Sequence, residues 1–259
     1  MKKNILIIGF GDLAERLEQL ISEEDINIYG LTRSPDNHIG ARLTKWDWHS
    51  GVAFTAPEKE FDAVIFFPKP KEYNEYGYRA GFIESLKIVH KSLQSIKFNS
   101  FIGISSTRVY GNHQDGNLNE LNTPQPSDYR GEIILEYEKL IKSLFPDSSL
   151  ILRLSGLFGN KTNLLKDFIK NFDGVKKEVP NKFINRLSRD KCAEIIAFAI
   201  SHNLSLDHDL LNCSSSAISY EEYFEAETGL KDFDKYFKYK NQNSRIISSK
   251  KLQDLGFKF

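Results

Sequence analysis

The chain has 259 residues, enough for one large α/β unit or a nucleotide-binding unit with a small companion. Its 35 Lys+Arg balance 35 Asp+Glu, so the basic excess of a dedicated nucleic-acid binder is absent. No apolar run reaches the roughly 18 residues of a membrane span, and the short run Ile5–Ile8 is too brief for the core of a signal peptide. Cys192 and Cys213 sit in apolar surroundings without Cys-x-x-Cys spacing, which predicts buried free thiols in a reducing cytoplasm. The scattered histidines, His38 among them, offer no metal-site spacing.

Taken in order, the elements alternate. Ile5–Ile8 reads as a strand buried on both faces. Asp12–Ser22 follows as a helix with Leu13, Leu17, Leu20 and Ile21 on one side. Further strands are predicted at Ile26–Leu31, Arg42–Trp46 and Phe61–Phe67, the last stopped by Pro68. A long helix is predicted from about Asn74 to Leu93, a strand at Phe101–Ser105, a helix at Ile133–Leu144 and a strand at Leu150–Leu154. Such alternation predicts a Rossmann-type, doubly wound parallel sheet of about six or seven strands.

Beyond residue 155 the pieces shorten. Helices are predicted at Asn163–Phe172, Arg189–Ile200 and Ser219–Thr228, with Ser219 as N-cap, and a brief strand at Leu210–Cys213. Residues 1–155 are expected to form the dinucleotide-binding unit, and residues 156–259 to complete the sheet and one wall of a substrate cleft.

Gly9-Phe10-Gly11-Asp12-Leu13-Ala14 joins the first strand to the first helix. Gly9 permits a tight turn, Gly11 lets a pyrophosphate approach the backbone, and Ala14 is small enough for close helix–strand packing. The helix start at Asp12 and Leu13 presents free N–H groups and a positive dipole end to phosphates. At the end of the second strand, where an acidic residue would bind ribose hydroxyls and select NAD, the sequence reads Thr32-Arg33-Ser34. An arginine there suits a 2′-phosphate, so NADP is expected, with NAD left open.

Ser105-Ser106-Thr107-Arg108-Val109-Tyr110-Gly111 resembles the Ser-Ser-x-x-Val-Tyr-Gly segment of the extended short-chain dehydrogenases, the NAD-dependent epimerase/dehydratase family. Arg153–Gly159, Asn185–Asp190 and the terminal Ser248–Leu252 with Leu255-Gly256-Phe257 resemble later segments of that family, in the same order. The compact glycine turn points to an atypical subgroup. The resemblance implies an oxidoreductase or epimerase/dehydratase acting on a small carbonyl or sugar-nucleotide substrate, and a possible homodimer through the long helices. It also implies a serine that orients substrate, matched by Ser106, and an acid/base tyrosine followed four residues later by a lysine.

Here the sequence departs from the pattern. Tyr129 has Ile133 four residues on; the other register sets Arg130 and Ile134 at the two positions, and either way the lysine is missing. Tyr129 stays a candidate acid/base beside Ser106. Asp47, between Trp46 and Trp48, matches an acidic residue near the adenine, and Phe67-Pro68 would border adenine and ribose at a strand end. Without the lysine, a non-catalytic dinucleotide-binding sensor or scaffold stands beside the enzyme reading.

Overall fold

The computed structural model describes residues 2–21, 25–35, 40–159, 164–240 and 243–259. Seven strands form one sheet: β1 (Lys3–Ile8), β2 (Ile26–Thr32), β3 (Arg42–Lys45), β4 (Glu60–Phe66), β5 (Lys97–Ser106), β6 (Ser149–Leu154) and β7 (Leu210–Cys213). Their spatial order is 3-2-1-4-5-6-7, and every neighbouring pair is parallel. The order reverses between β1 and β4, so the crevice at the carboxyl end of that pair is where such sheets receive ligands.

Because alternate residues of a strand face opposite sides, each strand feeds two cores. Ile5, Ile7, Ala63, Ile65, Ile102, Leu150 and Leu152 pack with Ala14, Leu17 and Ile21 of α1 (Asp12–Ile21) and Ile195 and Ile196 of α6 (Arg189–Ser201). Leu6, Ile8, Val64, Phe66, Phe101 and Ile151 face the other way. They meet Leu86 and Val89 of α3 (Ser85–Leu93) and Ile133, Tyr137 and Ile141 of α4 (Tyr129–Leu144). A separate cluster gathers Val179, Phe224, Phe233, Tyr236 and Phe237 from the C-terminal part.

Several boundaries are set by capping residues rather than by the apolar period. Asp128 accepts from Gly131 N at 2.9 Å, which starts α4 four residues before Ile133. Asn74 accepts from Gly77 N at 2.7 Å and opens α2 (Glu75–Arg79), which reaches α3 through a π-helical turn, Ala80–Glu84. Gly81 lies so close to the Lys69 backbone that a Cβ would stand 2.2 Å from its carbonyl oxygen, and this packs the loop after β4 onto the helix. Ser219 caps α7 (Tyr220–Thr228) with a reciprocal bond to Glu222. The helix expected from Asn163 is α5 (Leu164–Lys170); Asn163, Ser22 and His38 lie outside the described residues.

Short parallel pairings extend the fold beyond the sheet. Gly156–Phe158 pairs with Arg186–Ser188, and Asn117–Leu118 with Ile246–Ile247. No described helix is long and apolar enough to cross a membrane. Cys192 and Cys213 are free and buried, and burial pushes the Cys192 thiol up to about 12.

Candidate functional site

A cleft of about 830 Å³ opens at the carboxyl ends of the strands. Its walls are the residues that follow successive strands: Gly9–Ala14 after β1, Thr32 and Arg33 from β2, Phe67 and Pro68 after β4, Ser105 and Ser106 ending β5, and Ser155–Leu157 after β6. Gly9, Gly11, Asp12, Leu13, Arg33, Phe67, Pro68 and Ser106, all proposed from sequence, thus meet on one surface.

The two glycines differ in what requires them. Gly9 has φ +93°, and a Cβ there would lie 2.7 Å from the Phe67 carbonyl oxygen, so the turn itself demands glycine. Gly11 has no positive φ, and a Cβ there would meet nothing within 4 Å. The protein's own packing leaves that space open, directly before the free N–H groups that start α1.

Charge around the turn is organised by Asp12. Its carboxylate accepts from Arg189 at 2.6 Å and from Arg16 at 3.1 Å, and Arg16 also pairs with Asp190. Burial works to raise the Asp12 carboxyl, but the two guanidiniums outweigh it and hold it below its ordinary range. Arg189 lines the cleft, so the start of α6 delivers a cation to the glycine turn. Sequence reading assigned Arg189 no site role, although it lies in Asn185–Asp190, a segment singled out for its resemblance.

At the carboxyl end of β2, Arg33 lines the cleft and no carboxylate pairs with it among the described residues. It and Lys71 both act on His49, whose imidazole is pulled below its ordinary value, first by burial and then by these cations against Asp47. Asp47 does not line the cleft. Its carboxylate accepts from His49 N at 3.0 Å and caps the 3₁₀ turn Trp48–Ser50, which places Trp48 in the cleft wall.

At the Ser106 end, Ile134 lines the cleft, whereas Ile133 is turned into the core at 1% exposure. Of the two residues that the alternative registers set at the lysine position, only Ile134 lines the cleft, and it is apolar. Arg130 is held by Asp128 at 2.7 Å. Tyr129 is not among the lining residues; its hydroxyl donates to the Tyr73 carbonyl at 3.2 Å. Tyr73 and Tyr78 do line the cleft. Burial raises the Tyr78 phenol above its ordinary value despite Arg108 and Arg130 nearby. Ser106 Oγ accepts from Arg108 N at 3.2 Å.

Beneath this floor lies a buried ionic network. Arg153 donates to both Glu138 oxygens at 2.9 and 2.6 Å and to the Tyr110 hydroxyl at 2.9 Å. Ser105 donates to Glu138 at 2.5 Å. The sequence carried a signal for it: an arginine inside the apolar strand Ser149–Leu154 must find a partner.

Three buried donors in the cleft wall have no hydrogen-bond partner among the described residues: Trp48 Nε1, Ser155 Oγ and Arg189 Nε. They belong to segments near β3, after β6 and at the start of α6, spaced along the cleft. Buried polar groups are nearly always satisfied, so these three atoms keep donor capacity that a ligand in the cleft could take up.

No family model matches the chain, and no curated protein matches it. Solved structures do. A Methylobacillus flagellatus protein assigned to the NAD-dependent epimerases/dehydratases superposes with TM-score 0.75 at 20% identity, covering 100% of this chain and 93% of that one. The UDP-Glc/GlcNAc 4-epimerase of Campylobacter jejuni superposes with TM-score 0.75 at 16% identity over 98% and 92%. MoeE5, determined with UDP-glucose and NAD, gives 0.71 at 15% over 97% and 91%. The chain therefore has the fold of the NAD-dependent epimerase/dehydratase structures, which its sequence motifs resemble.

Proposed function

We propose that the chain binds NADP(H) in this cleft and acts as an oxidoreductase, or an epimerase/dehydratase-like enzyme, on a small carbonyl substrate. The observation that carries the reading is the set of unpartnered buried donors at Trp48, Ser155 and Arg189 along one cleft. The glycine turn and α1 would hold the pyrophosphate, with Arg189 as an added cation. Arg33, with Lys71 close by, would read the 2′-phosphate, since no acidic side chain ends β2 to favour a free ribose hydroxyl. Trp48, Phe67 and Pro68 would flank the adenosine. MoeE5 carries NAD in the same fold, which supports the placement of the dinucleotide.

Bound there, the cofactor would supply or accept a hydride. The chain's own part is orientation and proton supply. Ser106 and Ser155 offer hydroxyls at the floor, and Tyr78 offers a phenol that burial keeps protonated. A protonated phenol can donate to a carbonyl oxygen but is a poor base, so reduction is the direction these residues favour. Ile134 supplies no charge to hold a phenolate.

Ile134 also favours a second reading, a dinucleotide-binding sensor or scaffold without turnover. Hydride exchange with NADPH across a panel of carbonyl compounds separates the two. Turnover that survives Tyr129→Phe and falls at least tenfold in Ser106→Ala supports the enzyme without a Tyr–Lys dyad. Turnover abolished by Tyr129→Phe contradicts that mechanism. Tight NADPH binding with no turnover supports the sensor.

A further inference from the structure

The Ser106 end of the cleft is walled mainly by rings and aliphatic chains. Tyr73, Tyr78 and Phe82 line it from the segment after β4, and Ile134, Leu154 and Leu157 line it from α4 and the chain around the end of β6. Arg108, whose amide donates to Ser106 Oγ, also acts on the Tyr78 phenol, which places the rings at this end. Tyr78 and Phe82 stand four positions apart on one side of their helical segment, with rings parallel within 3° and centroids 5.6 Å apart. Tyr129 meets the Tyr78 ring edge-on at 5.7 Å, and its hydroxyl holds the Tyr73 carbonyl. Tyr73 stands at the lip, 83% exposed, and no ring packs against it among the described residues.

The backbone beneath these rings is closely determined. Pro68 and Pro70 fix φ on either side of Lys69. A Cβ on Gly77 would lie 2.3 Å from the Glu72 carbonyl oxygen, so the loop packs directly on the start of α2. Phe82 sits in the π turn, where the fully buried Ser85 donates to the Gly81 carbonyl at 2.6 Å. Such turns are rare and recur at functional sites, and this one carries a ring that lines the cleft.

Groups that grip sugars are missing from this wall. Carboxylates and the amides of Asn and Gln offer the paired acceptors and donors that sugar hydroxyls need. No Glu, Asn or Gln lines the cleft among the described residues, and Asp12, its one carboxylate, is held by Arg189 and Arg16 at the glycine turn. Hydroxyls pressed against Phe82, Ile134 and Leu154 would lose their bonds to water without replacement. A flat apolar group loses none, and offset or edge contact with the rings adds to the gain from its burial. The hydroxyls of Tyr78, Ser106 and Ser155 suffice for a single carbonyl oxygen.

We propose that the substrate is a carbonyl compound bearing a flat aromatic group, and that Tyr73, Tyr78 and Phe82 select it by ring contact. This rests on the reading of the cleft as a dinucleotide site.

The test is a ligand-observed NMR titration of the protein saturated with NADP+, which carries no hydride for turnover. The ligands are acetophenone, cyclohexyl methyl ketone and UDP-glucose. Acetophenone should bind about two- to tenfold tighter than its non-planar counterpart, the range expected for an aromatic pair. It should bind roughly tenfold or more tighter than UDP-glucose, whose hydroxyls find no partners on the wall. Tyr73→Ala, at an exposed position, and Phe82→Leu, which keeps an apolar side chain, should each lose about two- to tenfold for acetophenone. UDP-glucose binding as tight as acetophenone, or no preference for acetophenone over the cyclohexyl ketone, would overturn the substrate class. Acetophenone affinity unchanged in both variants would overturn the role of the wall. If Tyr73→Ala weakens NADP+ as much as acetophenone, the rings hold the cofactor and the assignment fails. NADP+ affinity is read separately by calorimetry. If wild type binds no dinucleotide, the proposed function fails, and the same comparison of three ligands on the unsaturated protein still decides the wall.

Discussion

Replacing Gly11 with alanine separates what the fold needs from what a ligand needs. At Gly11 the backbone has no positive φ and an added Cβ meets nothing within 4 Å. A methyl group there should leave stability unchanged or raise it by about 0.4–1 kcal/mol, through the reduced freedom of the unfolded chain. At this chain length that is a rise of roughly 1–4 °C in Tm. Gly9→Ala is the control: φ is +93° and the Cβ would lie 2.7 Å from the Phe67 oxygen, so strain of about 1–3 kcal/mol or more is expected. If the open space at Gly11 is where a pyrophosphate lies, Gly11→Ala pushes the phosphates off the α1 amides. Loss of even one charge-assisted hydrogen bond, about 1.5–3 kcal/mol, weakens NADPH by roughly 10- to 150-fold. The assay pairs urea unfolding with NADPH fluorescence titration on both variants. A Gly11→Ala protein that is as stable as wild type and binds NADPH equally well would refute the reasoning.

Other outcomes follow from the geometry around the site. Glu138→Leu leaves Arg153 buried without its partner and Ser105 without its acceptor. It should cost about 3–5 kcal/mol, and the double variant Glu138→Leu with Arg153→Met should recover much of that in urea unfolding. Asp128 caps α4 and pairs with two arginines; burial opposes ionisation, yet the Gly131 amide, Arg130 and Arg108 hold the carboxyl below its ordinary range. Its contribution is present above the unfolded-state pKa of about 4 and is lost as pH falls through the lower folded value. Asp128→Asn keeps the cap but loses these partly exposed ion pairs, so it should be less stable by about 1 kcal/mol at pH 7, the deficit shrinking below pH about 4.

The central sheet was legible because its strands are continuous apolar runs with crossover helices between them. Ile5–Ile8 and Ala63–Phe66 are almost wholly buried, as a strand covered on both faces requires. The helix over residues 75–93 was legible as one segment, but its π turn was not, because apolar spacing does not distinguish a single wider turn. The paired segments Gly156–Phe158 and Arg186–Ser188 were invisible, since three residues carry no period. The cofactor half of the site could be read from local order: the glycine turn, Arg33 and Phe67-Pro68 each follow a strand end. Residues brought in from a distant segment could not. Arg189 reaches Asp12 across 177 positions, and only the packing of α1 against α6 joins them. The choice between Ile133 and Ile134 was likewise tertiary, decided by which side of α4 faces the cleft.

The most direct test of the account is a titration of wild type and Arg33→Ala with NADPH and NADH, followed by nucleotide fluorescence. Arg33 lines the cleft beside Thr32, and no carboxylate pairs with its guanidinium among the described residues. Wild type should bind NADPH more tightly than NADH. Arg33→Ala should lose about 10- to 150-fold toward NADPH, the worth of one charge-assisted contact to the 2′-phosphate, and change little toward NADH. Equal loss for both nucleotides, or no binding of either by wild type, would contradict the assignment of this cleft to NADP(H).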